Sequence, residues 1–274
     1  MQKNKLTNVC LSLCVLLFIL CNRATAQVKF VRHINAELSK SEKEALIILP
    51  GFGDSKKSRK KQIDFFKEKG YDVYIPSYKN KKTVEECVQK FAAFYTREEM
   101  TQYKKVHVFS YIIGSWTINK FINEYGKGNI STIVYNRSPI QERAPYIAFT
   151  YLKRMSRIKF GPILEDFLNT KYSPIVNDSI NLGIIIEAKA TKIMRLYKKK
   201  TIKMGPLNWQ VDSLYQKTDD YFFTWLNHEQ MYSRFDIVGD EVLNFIRLGK
   251  FSSIAKKENY DWDPFVSYKK EGLK

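Results

Sequence analysis

Cysteine is nearly absent from the body of this 274-residue chain. Cys10, Cys14 and Cys21 fall within the first 21 residues, and Cys87 stands alone after them. A single thiol forms no internal disulfide, so a buried core must carry the stability. Cys87 lies in an amphipathic helical stretch with no base motif around it and reads as buried filler. Long apolar runs are equally scarce. Mean hydropathy is −0.37, and only the extreme N-terminus approaches the character of a membrane span, which excludes a polytopic membrane protein. No HExxH, paired CxxC, P-loop or GxGxxG occurs, so neither a metal nor a nucleotide cofactor is predicted. His33 and His107 have no metal-ligand spacing to any Cys, Asp or His. His107 falls inside a predicted strand and reads as a satisfied core residue. Acidic residues are also in deficit: 28 Asp and Glu face 46 Lys and Arg, a formal charge of +18.

What is present is globular. Hydrophobic residues make up 44% and aromatics 14% of the chain, too apolar a mixture for disorder. Lys3 and Lys5 precede an apolar run over 11–21, and Ala24-Thr25-Ala26 follows as a small-x-small pattern before Gln27. This predicts a secretory signal peptide over 1–26 and a mature chain starting at Gln27. Processing as a lipoprotein at Cys21 is a minor alternative, because Leu20 stands where that route wants a small residue. Lys3, Lys5 and Arg23 would leave with the signal and no acid would, so +18 would fall to +15. The mature length suits one domain, 27–274.

Along that domain, apolar runs alternate with helical periodicity. Strands are predicted at 45–49, 71–78, 106–111, 130–135, 182–186 and 221–226. Helices are predicted at 55–69, 83–100, 112–125 and 236–249, with Gly70, Gly126 and Gly249 as stops. Residues 140–180 break the alternation as a mostly helical, aromatic and basic stretch, in the manner of a cap. The fold class is therefore α/β, a mostly parallel, doubly wound sheet covered on both faces. Ligands on such sheets bind beyond the carboxyl ends of the strands, which singles out Phe52, Ile112, Asn136, Glu187 and His228.

At those positions the chain resembles the α/β-hydrolase family of serine esterases and lipases. LPGFGDS (49–55) is similar to the family's oxyanion loop, with Pro50 where a His is usual. VHVFSYIIGSW (106–116) resembles its nucleophile elbow, normally G-x-S-x-G. NHEQMY (227–232) resembles the segment carrying the catalytic His, and MGPLNW (204–209) a loop that carries the acid in one lipase-like branch. The resemblance covers 45–250. It implies His228 as a remnant base, Ile112 at the nucleophile position, Leu207 or Asn208 at the acid position, and the N–H groups of Phe52 and Ile113 as oxyanion or ligand donors.

Acyl transfer needs an oxygen nucleophile, a base and oxyanion donors. Isoleucine has no lone pair, and neither Leu207 nor Asn208 ionises. Glu187 is either a displaced acid that orients His228 or an exposed charge at a strand end. Ser110 and Ser115 read as packing serines. With Gly114, they keep helix and strand close. A β-branched residue at the positive φ of a strained elbow is costly, so either the turn has relaxed or packing holds Ile112 there.

The resemblance thus implies a degenerate esterase or lipase relative that binds an acyl, lipid-like or anionic ligand. An active carboxylic-ester hydrolase with a non-standard catalytic set, and a basic envelope-interaction protein, remain beside it. Bases cluster at 56–61, 153–159 and 189–203, which predicts attraction to an anionic surface or polyanion. Export disfavours nucleic acid as that partner.

Overall fold

The computed structural model describes residues 31–136, 143–205 and 216–266. The expected signal peptide, Cys21, Leu207 and Asn208 lie outside them.

Seven strands form one sheet: β1 (Val31–His33), β2 (Glu44–Leu49), β3 (Tyr71–Ile75), β4 (Lys105–Tyr111), β5 (Ile130–Asn136), β6 (Asn181–Glu187) and β7 (Asp220–Thr224). Their spatial order is β1-β3-β2-β4-β5-β6-β7. Every pair is parallel except β1 with β3. The mostly parallel α/β sheet expected from the sequence is the one found. The three-residue edge strand β1 was not foreseen, since a short run with two exposed residues carries no alternation signal.

Ten α-helices accompany the strands among the described residues: α1 (Lys56–Phe66), α2 (Val84–Arg97), α3 (Ile112–Tyr125), α4 (Arg143–Tyr151), α5 (Lys153–Phe160), α6 (Ile163–Asn169), α7 (Lys192–Leu196), α8 (Lys198–Lys203), α9 (His228–Ser233) and α10 (Phe235–Leu248). Ser55 and Thr83 start α1 and α2 by accepting the N–H of Ser58 and Glu86, each satisfying a donor that the first turn leaves orphaned. A 3₁₀ turn after α1 ends at Gly70, whose φ of 89° suits a residue without Cβ.

The strands are apolar on both faces, and each face has its own core. Ala45, Ile47 and Leu49 pack with Val84, Cys87, Phe91 and Phe94 of α2 and with Ile113 and Phe121 of α3. Leu46 and Ile48 point the other way, toward Ile63 and Phe66 of α1 and Phe235, Val238 and Val242 of α10. The period-2 alternation of a strand thus divides one run, ALIIL, between two helical layers. Cys87 is fully buried, and burial pushes its thiol up to about 11, which leaves it unreactive.

The stretch between β5 and β6 is helical only as far as Asn169. Residues 170–180 form neither helix nor strand, so the stretch expected to be mostly helical to 180 is helical over its first two thirds. Thr170 and the Tyr172-Ser173-Pro174 run instead receive side chains of α3: Trp116 Nε1 donates to Thr170 O and Asn119 Nδ2 to Ser173 O.

Winding direction locates the site. The chain passes from β2 to β3 on one side, then returns across β2 to β4 on the other. The switch point therefore lies between the carboxyl ends of β2 and β4, where such sheets open a crevice. Those ends deliver Pro50–Gly53 and Tyr111–Ile112.

Candidate functional site

A cavity of about 510 Å³ lies over these strand ends. Its walls are Phe52 and Gly53 after β2, Ile112 at the start of α3, Ala144, Pro145 and Ala148 of α4, Leu152, Met155, Ile158, Lys159 and Phe160 in and around α5, Leu164 of α6, Thr191 and Ile193 at α7, and His228 and Glu229 of α9. The lining is mainly apolar, with few polar groups. Phe52 sets its ring edge against Phe160 and Phe167, at centroid distances of 5.2 and 5.9 Å.

Glu187 and His228 meet at one end. Glu187 closes β6, and His228 is the first residue of α9, whose N-cap Asn227 and Gln230 form a reciprocal capping box. His228 Nδ1 lies 3.0 Å from Glu187 Oε1. The Glu187 side chain is fully buried and that of His228 largely so. The exposed-charge alternative for Glu187 is thereby corrected: the parallel ladder holds its strand end beneath α9, and burial is invisible in the sequence. With Nδ1–H donated to the carboxylate, the tautomer is fixed and Nε2 becomes the acceptor of the neutral ring. Nε2 has no hydrogen-bond partner among the described residues. The rings of Tyr111 and Tyr232 meet the imidazole near perpendicular, at 6.2 and 5.3 Å.

Ile112 stands at the end of β4, at 3% exposure, with its side chain on the cavity wall. It is the first helical residue of α3, after an extended Tyr111 (φ −101°, ψ 153°). Glu99 is the only non-glycine with positive φ among the described residues, so the turn has relaxed and Ile112 bears no elbow strain. Gly114 keeps its steric role. A Cβ there would come within 2.7 Å of Leu49 O. Ser110 and Ser115 are buried and bonded to each other, Oγ to Oγ, at 2.9 Å. Ile113 sends its side chain into the core and does not line the cavity. Its N–H lies in the first helical turn, where donors have no intrahelical partner. His107 is buried between Glu44 Oε2 at 3.0 Å and Ser131 Oγ at 3.4 Å, a satisfied core histidine. Asn136 is buried at the end of β5 but does not reach the cavity.

Several residues that hold the Phe52 loop escaped the sequence reading. Tyr78 donates to Pro50 O at 2.7 Å and Lys79 Nζ to Gly51 O at 2.6 Å, while Gly51 N–H donates to Tyr232 Oη at 2.9 Å. Tyr232 stacks on Tyr111 at 4.1 Å, and Gln62 donates to the Tyr111 hydroxyl. A Cβ on Gly51 would approach Tyr232 Oη to 2.8 Å, so the loop needs glycine for this closure. Burial holds the hydroxyls of Tyr78, Tyr111 and Tyr232 well above the ordinary phenol value, so they stay protonated. Burial also lowers the Lys79 ammonium, partly offset by Asp54. Tyr232 lies four residues after His228, on the same helix face. That spacing was the one available signal.

No metal-ligating cluster occurs among the described residues. No protein-family model matches the sequence, and no curated protein matches it. Solved structures do match. An α/β-hydrolase-fold protein from Chitinophaga pinensis superposes at a TM-score of 0.53 with 8% identity, over 81% of this chain and 98% of that one. A thermophilic esterase from Thermogutta terrifontis gives 0.51 with 10% identity, over 81% and 93%. A lipase from Bacillus licheniformis gives 0.51 with 11% identity, over 78% and 98%. A doubly wound sheet with a crevice at its switch point defines the general class. Within it, the chain has the α/β-hydrolase fold, as the sequence resemblance implied.

Proposed function

We propose that this protein is a non-hydrolytic relative of esterases and lipases that holds an acyl or lipid-like molecule in its cavity. One observation supports the reading: an apolar cavity within the size range of small-molecule sites is lined by Ile112 and by His228, which pairs with buried Glu187, and the family resemblance gives Ile112 the place of the attacking atom. The apolar wall takes the chain of the ligand, and His228 Nε2 accepts from an O–H at its polar end. The Phe52 loop, clamped by Tyr78, Lys79 and Tyr232, supplies backbone donors beside it.

Displacement of an environment-sensitive fluorophore by fatty acids and their esters of graded length tests this. Saturable binding is expected, weakened at least tenfold by Ala148→Trp, which fills the cavity, and unaltered by Lys105→Ala, an exposed change at the amino end of β4, opposite the strand ends under the cavity. Equal binding by wild type and Ala148→Trp, with both folded, would place the ligand elsewhere. The Glu187–His228 contact favours a second reading, in which Nε2 deprotonates a water that attacks an ester directly. Hydrolysis abolished by His228→Ala would establish it in place of the first.

The leader-like N-terminus supports export as part of the same reading. Envelope-fraction protein should then begin at Gln27, and a start at Met1 would contradict it.

A further inference from the structure

The cavity opens beside a surface with unusual composition. Helices α4, α5, α7 and α8 expose six of the thirteen large apolar side chains exposed among the described residues. Met155 and Ile158 on α5 are 65% and 73% exposed, and Leu196 and Ile202 on α7 and α8 are 75% and 50% exposed. Almost all of α5 faces outward. Ser156, its one buried residue, donates to Ala148 O. Bases alternate with these apolar groups, at Lys153, Arg154, Arg157 and Lys159 on α5 and from Lys192 to Lys203 on α7 and α8. No acid occurs within 143–160 or 188–205. Across the patch, Arg157 pairs with Glu165 at 3.6 Å and Lys198 with Asp263 at 2.9 Å.

The two helix pairs join into one face. Tyr151 of α4 stacks on Tyr197 between α7 and α8 at 5.3 Å, with Lys200 Nζ 5.6 Å from the Tyr151 ring. Met155, Ile158 and Lys159 line the cavity on one side and Ile193 on the other. The apolar wall of the cavity is thus continuous with the exposed apolar residues of the face.

We infer that this face docks on a bilayer containing anionic phospholipid, with the cavity mouth turned toward it. Charge complementarity supplies the long-range attraction, roughly fivefold in affinity per Lys or Arg near such a surface. A soluble polyanion would be served by the bases alone. The interleaved Met155, Ile158, Leu196 and Ile202 instead fit an interfacial helix face that buries its apolar side chains just below the headgroups. No helix among the described residues is long and apolar enough to cross a membrane, so these helices dock from one side. The inference concerns the surface alone and stands whether or not the cavity holds an acyl ligand.

Hydrogen exchange of the full chain, with vesicles of phosphatidylcholine or of phosphatidylcholine and phosphatidylglycerol, tests it while localising the contact. Exchange should slow over residues 152–160 and 192–204 with phosphatidylglycerol vesicles and stay unchanged with phosphatidylcholine alone, and the protection should fade with added salt. Changing Lys198, Lys199 and Lys200 together to Glu should weaken vesicle binding about a hundredfold or more. The pair Met155→Ser and Ile158→Ser should weaken it about tenfold at physiological salt and leave the surface charge intact. These side chains are exposed, so the fold should persist, and circular dichroism checks it. Protection confined to other segments would overturn the inference. So would equal affinity in both variants, or protection by soluble heparin equal to that by vesicles and indifferent to the Met155 and Ile158 changes.

Discussion

The two ends of the sheet treat buried polar groups in opposite ways. At the amino end, Asp72 of β3 is completely buried, and each oxygen is held. Oδ1 accepts from Asn35 N–H at 2.8 Å, and Oδ2 from Tyr103 Oη at 2.6 Å and Lys43 Nζ at 2.9 Å. Lys43, itself buried, also donates to Asn35 O, and Tyr103 bonds to Tyr74 at 2.6 Å. At the carboxyl end, the side-chain oxygen and nitrogen of Asn136 and Oδ1 of Asp54 are buried without a hydrogen-bond partner among the described residues. A closed network at one end specifies the fold. Unpartnered polar atoms occur at the other, on strand-end residues that do not themselves line the cavity. Stability and site occupy opposite ends of the same strands.

The contrast can be broken by mutation, most severely at the amino end. Lys43→Met should cost about 3–5 kcal/mol in urea unfolding, because it leaves the Asp72 carboxylate buried without its cation. A loss under about 1 kcal/mol would show that the network contributes little. At the carboxyl end, Gly114→Ala should cost about 1–3 kcal/mol of overpacking, since the new methyl meets the Leu49 backbone. Thermal unfolding measures it. Asn136→Leu should sharpen the comparison by doing little harm. Removing an unpartnered buried amide is expected to change stability by less than about 1 kcal/mol, in either direction. A loss as large as that of Lys43→Met would mean that Asn136 is satisfied and the two ends are alike.

The smallest effect expected is at Glu44, beside the amino-end network. Its hydrogen bond to His107 holds the carboxyl below its ordinary 4.5. A depressed carboxyl stabilises the fold fully above 4.5 and loses that contribution as pH falls through its folded value. Glu44→Gln should therefore lower stability slightly at neutral pH and leave it nearly unchanged well below pH 4.5, where that contribution is already lost, so the acid limb of a stability–pH curve flattens. An unaltered acid limb would remove this assignment.

The sequence made the central strands and long helices legible because burial on two faces and 3.6-residue periodicity both leave patterns. ALIIL and the stripe Val84, Cys87, Val88, Phe91, Phe94 and Tyr95 are such cases. Strand β1 and helices α7 and α8 leave none, being three to six residues long and largely polar or exposed. At the site, Ile112 and His228 were legible through their places after β4 and β7. Glu187 was singled out, but its burial against His228 was left open, because it depends on a strand end lying beneath α9. The Gly51–Tyr232 contact spans 181 residues, and no local spacing encodes it. The relaxed turn at Ile112 was left open by the sequence and settled by backbone angles.

The reading proposed above is that this site holds a base and an acid, His228 and Glu187, and lacks the attacking atom. Labelling by a fluorophosphonate probe tests it most directly, in wild type and in Ile112→Ser. The account predicts no labelling of wild type and clear labelling at residue 112 in Ile112→Ser, lost again when His228→Ala is added. Robust labelling of wild type at Ser110 or Ser115, or a folded Ile112→Ser protein that stays unlabelled, would contradict it.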